Sequence, residues 1–331
     1  MSKNNIDWTQ EADAHLSSVV VYRKLIKGNL RQKCLGLFCL KIGSEGMISN
    51  LSNKCNEVKE MELLTEIDES CKEEIRCCLY TEEMFQTLAI QGLENEQLGE
   101  WYVEKDDNEI TSILYIKDEG NTYFTTFWVK GKNKLEVIAK QIECLKRNSI
   151  LLAGKSEYVE SIFKYLGIKK DISRDIHYVY SQKLTKDTDV SIVRKAIHNE
   201  YDISFIHKFF IHFFQPSNEE QLQRLINKEK ISNDIEKGIF FVMHDNVPIG
   251  MGRYGSYTKN YIEFTTFYVE EKFRGQKCGK ILLSHMILDC LNCGKIPILQ
   301  TSSNNISARS LYEKLGFKEV TDYSFTFIPL K

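Results

Sequence analysis

The chain has 331 residues, 42% of them apolar and 27% charged, with a formal net charge of −2. That length suggests two domains of ordinary globular composition. A charge so close to zero supplies no basic field, so neither nucleic acid nor an anionic membrane is expected as a partner. No apolar run approaches the ~18 residues of a membrane span, and the opening MSKNNIDWTQEADAH is polar rather than a secretory leader. Ten cysteines in such a chain fit reduced thiols and a cytoplasmic location.

In chain order, residues 1–57 form an extension, helical or mixed, that belongs to no repeat. A helical segment, DESCKEEIRCCLYTEEMFQTLAI, leads into WYVEKDDNEITSILYIKD from Trp101, which reads strand, polar turn, strand. The next strand, YFTTFWV, starts at Tyr123. SILLAGKSEYVESIFKYLGI, from Ser149, reads as a buried strand, a polar break and a helix that stops at Leu166-Gly167. SQKLTKDTDV, 181–190, lacks periodicity and reads as a linker. The whole pattern is then written again. Helical sequence over Tyr201–Lys230, with a helix start at Ser217 after Pro216, precedes FFVMHDNVPIGMGRYGS from Phe240. EFTTFYV follows from Glu263, and IPILQTSSNNISARSLYEKLGF from Ile296 ends at Leu315-Gly316. Gly167 and Gly316 both suit a left-handed helix terminus. The repeat divides the chain into 58–183 and 184–331.

Only the second copy follows its F-T-T-F strand with EEKFRGQKCGK and a helix beginning near Ile281. Glycines at 275 and 279 let backbone amides approach a ligand, and a helix N-terminus adds partial positive charge. Arg274, Lys277 and Lys280 add full charges. The spacing is neither a Walker A loop nor a dinucleotide fingerprint. Cys290 and Cys293 have no second pair beside them, and His207 and His212 lie five apart among phenylalanines, so no metal is expected. His285 reads as a packed residue and His244 as an exposed one.

Taken together, VEEKFRGQKCGKILL and NNISARSLYEKLGFKEV resemble the GNAT superfamily of acetyl-CoA-dependent N-acetyltransferases. The family's [QR]-x-x-G-x-[GA] signature falls on Arg274, Gly275, Gln276, Lys277, Cys278 and Gly279, with Lys277 replacing the middle glycine. Its N-x-x-A-x-x-L-Y-x-K-x-G-F signature falls on Asn305, Ala308, Leu311, Tyr312, Lys314, Gly316 and Phe317. The match spans about 189–331. The first copy is similar but lacks the Arg-Gly loop and has Phe163 in place of Tyr312. The resemblance implies an α/β fold of two tandem GNAT-like domains, each a mixed, mostly antiparallel twisted sheet flanked by helices. The second is catalytic and the first degenerate, shaping the acceptor cleft.

The implied reaction is direct acetyl transfer from acetyl-CoA to a primary amine of a small molecule or peptide. A neutral amine must attack, yet an alkylamine titrates near ~10.4, so a base is useful. The resemblance gives that role to Glu263, directly or through water. Strand alternation puts Glu263 on one face with Thr265, Phe267 and Val269. Tyr312, a phenol near ~10, is the implied proton donor to a thiolate whose thiol titrates near ~8.5. The backbones of Phe267, Tyr268 and Val269 and the side chain of Asn305 are implied to hold the thioester and pantetheine arm. The 274–280 loop, Lys280 included, is implied to hold the diphosphate. The alternatives are a longer acyl-CoA or a protein terminus, a non-catalytic acyl-CoA sensor, and a peptidyl transferase taking aminoacyl-tRNA. The aromatics of 201–230 point to a partly apolar acceptor, whose identity and the oligomeric state stay open.

Overall fold

A computed structural model describes residues 61–95, 99–119, 122–182 and 192–329. The 1–57 extension and most of the expected linker lie outside the described residues. In the first half, β1 (Glu62–Leu63) precedes α1 (Glu69–Tyr80), a 3-10 turn (Glu83–Phe85) and α2 (Thr87–Glu94). The strands β2 (Glu100–Asp106), β3 (Glu109–Asp118) and β4 (Tyr123–Val129) follow, then α3 (Leu135–Leu145), β5 (Ile150–Lys155), α4 (Ser156–Tyr165) and β6 (Asp175–Tyr180). The second half repeats the plan. β7 (Val193–Lys195), α5 (Glu200–Phe214), α6 (Glu219–Leu225) and α7 (Lys228–Gly238) lead into β8 (Ile239–His244), β9 (Val247–Tyr257) and β10 (Tyr261–Val269). α8 (Cys278–Asn292), β11 (Ile296–Ser302), α9 (Ile306–Leu315) and β12 (Phe317–Phe327) complete it.

Local chemistry sets the boundaries. Asn199, Asn218 and Asn227 cap α5, α6 and α7, each accepting a backbone N–H three residues on. The cap of α6 is thus one residue past Ser217, whose own N–H goes to Gln221 Oε1 at 2.8 Å. Gly316 closes α9 with φ 102°, and Gly167 follows α4 with φ 66°, as the Leu-Gly stops imply.

The two halves share one twelve-stranded sheet, ordered β1-β2-β3-β4-β5-β12-β6-β11-β10-β9-β8-β7. The repeat alone does not announce this join. Each half gives its last strand to the other: β6 pairs with β11 from Ile298↔Val179 to Ser302↔Asp175, and β12 pairs with β5 from Tyr323↔Lys155 to Phe327↔Leu151. β6 and β12 also pair with each other, antiparallel, about the centre. Pulling the halves apart would strip ladder partners from both central strands, so the exchange welds them.

Helices α3, α4, α8 and α9 pack on one face of the sheet, in cores that hold Phe127, Leu152, Phe264 and Leu299. Helices α1, α2, α5 and α7 cover the other face, over Trp128 and Tyr115 in the first half and Phe241 and Met251 in the second. Between these front layers runs a seam along β10, β11, β6 and β12. Glu83 anchors its edge by accepting from Asn260 N and Nδ2, both at 2.7 Å, and α2 packs on β9.

Candidate functional site

β10 and β11 run parallel and paired only from Tyr261↔Ile296 to Phe264↔Leu299. β10 nevertheless continues against β9 as far as Val269↔Gly250. A wedge therefore opens beside Thr265–Val269, with backbone groups on that side free of a strand partner. The chain then passes through a 3-10 turn (Glu271–Phe273) into the basic loop. Gly275 has φ 75°, and Lys277 has φ 65° and ψ 4°. Lys277 thus adopts a left-handed backbone that glycine takes freely, at a cost of roughly 1–2 kcal/mol. α8 begins at Cys278 with no side-chain cap, leaving its first amides open. Lys277 and Lys280 are exposed, and no ion pair holds either of them among the described residues. Arg274 is held at the loop base, donating Nε to Val269 O at 3.0 Å with Glu271 3.6 Å away. Gln276 donates Nε2 to Lys272 O at 2.9 Å. Cys278 is buried, which pushes its thiol pKa up. A methyl at Gly279 would meet Leu311 at 3.8 Å and Val269 at 4.0 Å, so the protein's own packing does not require glycine there.

The expectation that Glu263, Thr265, Phe267 and Val269 share a face is corrected. Thr266 adopts φ 55° in a β-bulge, so two residues of β10, Thr266 and Phe267, oppose one of β9, Gly252, between Thr265↔Arg253 and Tyr268↔Met251. The extra residue reverses the alternation. Glu263, Thr265 and Tyr268 face the front, whereas Phe267 and Val269 turn back into the core under α8. Arg253 holds the bulge, donating Nε to Thr266 Oγ1 at 3.0 Å and Nη1 to Asp234 Oδ2 of α7 at 2.6 Å.

Glu263 keeps some contact with solvent, yet protein surrounds it. Desolvation raises its pKa above the ordinary carboxyl value, against the opposing hydrogen bond from Ser256 and the Arg253 charge. Tyr312 sits on the opposite side, 8% exposed, with its ring 6.4 Å from Phe267 and 6.0 Å from Tyr178. Burial, then the neighbouring Tyr178, pushes its phenol pKa upward. Asn305 caps α9, its Oδ1 accepting from Ala308 N at 3.2 Å, so only its NH2 is left to meet a ligand. Tyr268 lies over α5, stacked on His212 at 5.9 Å and near Phe209 at 5.5 Å.

Where the first half could have the same loop, it has something else. β4 also leaves β5 after Thr126↔Ala153. Phe127 lies against Gly154, however, where an added methyl would come 2.8 Å from its ring, and Phe163 is 3% exposed. The nearby cavity of ≈ 470 Å³ is lined by Asp106, Asp107 and Glu109 beside Lys130 and Lys134. Lys130 pairs with Glu109 at 2.6 Å, Lys132 with Glu157 at 2.7 Å, and Lys134 with Glu104 at 3.0 Å and with Asp106.

The sequence reading missed a polar group along the seam. Asp175 and His177 of β6 face front with Gln300 of β11 and Tyr323 of β12. Among the described residues His177 is fully buried with both ring nitrogens unpartnered, and Gln300 Oε1 is buried without a partner. Burial alone raises Asp175 to about 6 and lowers His177 to about 4. Asp and His at alternate positions of DIHYVY were the available signal, since that spacing marks one polar face of a strand. Among the described residues no helix is long and apolar enough to cross a membrane.

Comparison with known proteins bears on the family and the fold. No curated protein matches the sequence. An acetyltransferase from the GNAT family from Colwellia psychrerythraea aligns over 82% of this chain and 100% of its own, at 13% identity and TM-score 0.53. A tandem GNAT protein from the clavulanic acid biosynthesis pathway aligns over 82% and 100%, at 11% identity and TM-score 0.56. A Drosophila protein aligns over 81% and 98%, at 11% identity and TM-score 0.54. These likenesses are of fold. Residues 197–317 match the acetyltransferase (GNAT) family model, and the chain therefore carries a GNAT-family domain there, within the fold of a tandem GNAT protein.

Proposed function

We propose that the protein is an N-acetyltransferase that moves an acetyl group from acetyl-CoA to a primary amine at the wedge between β10 and β11. The observation that carries this reading is the end of that ladder at Phe264↔Leu299 on a strand whose Val269 lies beside an uncapped helix N-terminus with two lysines in no ion pair among the described residues. The residues fit the donor substrate. Open amides at Cys278–Lys280, the charges of Lys277 and Lys280, and the bare Cα of Gly279 suit a diphosphate. The free side of Thr265–Val269 offers N–H groups to the thioester oxygen, which gains negative charge during transfer.

The remaining chemistry falls to side chains on opposite faces. Glu263 faces front, where it takes a proton from the incoming ammonium. Its raised pKa brings it closer to that of its partner than an ordinary carboxylate, which favours proton transfer. Tyr312 approaches from the α9 side. With its pKa raised by burial it stays protonated across the physiological range, and it donates to the departing thiolate. Acceptor and donor substrates thus reach the wedge from opposite sides without exchanging places. Isothermal titration with acetyl-CoA tests the first step, and thiol release across a panel of amines tests the second. Absence of acetyl-CoA binding to the folded chain would overturn the reading.

A further inference from the structure

The front seam holds polar groups that the fold does not satisfy. The carboxylate of Asp175 has neither hydrogen bond nor ion pair among the described residues, and it remains partly accessible. Lys155, in the same row of the sheet through Tyr323, is committed to Glu82 at 2.6 Å. Two residues along the same face of β6 lies His177, 0% exposed, with neither ring nitrogen partnered. Its register partner on β11 is Gln300, whose Oε1 is also buried and unpartnered. A buried donor or acceptor left unmet costs on the order of 1–3 kcal/mol, so neighbouring orphans on one face mark a place where a ligand completes the bonding. Phe85 and Tyr323 wall this place, with ring centroids 4.9 and 5.9 Å from His177.

The distances set the ligand's shape. Glu263 shares a row with Ile298 and Val179, and Asp175 lies two strands over and four residues along. That separation is roughly 16 Å between Cα atoms. A ligand that bridged the two carboxylates would need a span on the order of 10–15 Å, roughly nine extended bonds or more. An anionic end, an aromatic middle and a second anionic end complement a chain with ammonium groups at its ends and methylenes between.

We propose that the acceptor is a linear polyamine laid along the seam, with its reacting amine at Glu263 and its remote ammonium on Asp175. This assignment rests on the reading of Glu263 as the base. It makes Asp175 a specificity residue that the first half contributes to the second half's reaction through the exchanged strand. The exchange thereby acquires a functional consequence, because neither half alone carries both carboxylates.

The test is calorimetric titration of spermidine and of hexylamine into the wild-type chain and into Asp175→Asn and Asp175→Glu, with acetyl-CoA titrated into the same samples. A charge-assisted contact of 1.5–3 kcal/mol corresponds to roughly 10- to 100-fold in affinity. The wild type is expected to bind spermidine over hexylamine by about that factor. Asp175→Asn should lose the preference, Asp175→Glu should recover part of it, and acetyl-CoA affinity should be unchanged in all three. Equal binding of the two amines by the wild type, or undiminished spermidine binding by Asp175→Asn, overturns the proposal. The two readings fail separately: acetyl-CoA binding without a spermidine preference removes only the polyamine, whereas Asp175-dependent spermidine binding without acetyl-CoA binding removes only the acetyltransferase.

Discussion

After Val269 the chain turns through Arg274–Lys280 with Lys277 and Lys280 in no ion pair among the described residues; after Val129 it turns through Lys130–Lys134 with each of its three lysines in an ion pair. Both turns follow nearly the same strand sequence, and both strands leave their parallel neighbour partway along. The difference lies in what surrounds them. Both turns feed helices without a side-chain cap, the later one of 15 residues and the earlier one of 11 that continues directly from a 3-10 turn. Asp106, Asp107 and Glu109 ring the earlier turn and would repel a diphosphate. A strand shape can therefore persist while the charge beside it is neutralised, because the ion pairs come from other segments rather than from the strand.

The largest effect that can break this contrast is at Tyr312. Tyr312→Phe is expected to lower turnover by roughly 10²–10⁴-fold, the range for a lost acid–base group, with the melting curve little changed. Phe163→Tyr, the matching change in the first half, should create no turnover, because no anion loop lies beside it. A tyrosine-independent rate in a thiol-release assay would remove the proton-donor role.

Next come the loop charges. Lys277→Ala with Lys280→Ala should weaken acetyl-CoA binding by at least about tenfold, with a matching loss of salt dependence. Lys130→Ala with Lys132→Ala should leave that affinity where it was. Equal losses from both pairs would show that the contrast between the turns is not electrostatic.

The seam can be read by pH. Asp175, raised to about 6, binds its proton more tightly folded than unfolded. Its contribution is therefore greatest below the unfolded value near ~3.9 and is lost as pH rises through 6. His177, lowered to about 4, does the reverse: its contribution is full above ~6.5 and is lost as pH falls through 4. Between pH 4 and 6 the two slopes oppose each other. Asp175→Asn should raise stability at pH 8 by on the order of 2 kcal/mol and leave an acid-labile protein, as denaturant titrations at several pH values would reveal. Activity should follow Glu263: its acidic limb is expected above the ordinary carboxyl range near ~4.3 and should vanish in Glu263→Gln.

The smallest effect compares the two helix stops. Gly316→Ala places a methyl 2.9 Å from Gln182 at φ 102°, whereas Gly167→Ala meets nothing within 4 Å at φ 66°. Both should cost about 1 kcal/mol for the left-handed backbone, with a further loss only at Gly316, measurable as a larger fall in melting temperature.

Much of the site was legible in the sequence. The order of strands and helices, the Leu-Gly stops and the basic loop all follow from short-range rules of periodicity, glycine conformation and helix termini. The β-bulge at Thr266 was not legible, because alternation presumes an unbroken ladder and the bulge depends on Arg253 reaching across from β9. Nor was the pairing of Lys130, Lys132 and Lys134, since their partners come from β2, β3 and α4.

By itself the sequence determined that one α/β plan is written twice and that only the later copy has the composition of an anion loop, because these properties reside in residues close along the chain. Only the tertiary structure decided that β6 and β12 change places, that Glu263 and Tyr312 lie on opposite faces, and that Asp175 of one half sits on a strand paired with β11 and β12 of the other. Strand order and facing are settled by which distant segments satisfy each other's hydrogen bonds and bury each other's apolar faces, and no local pattern encodes that choice.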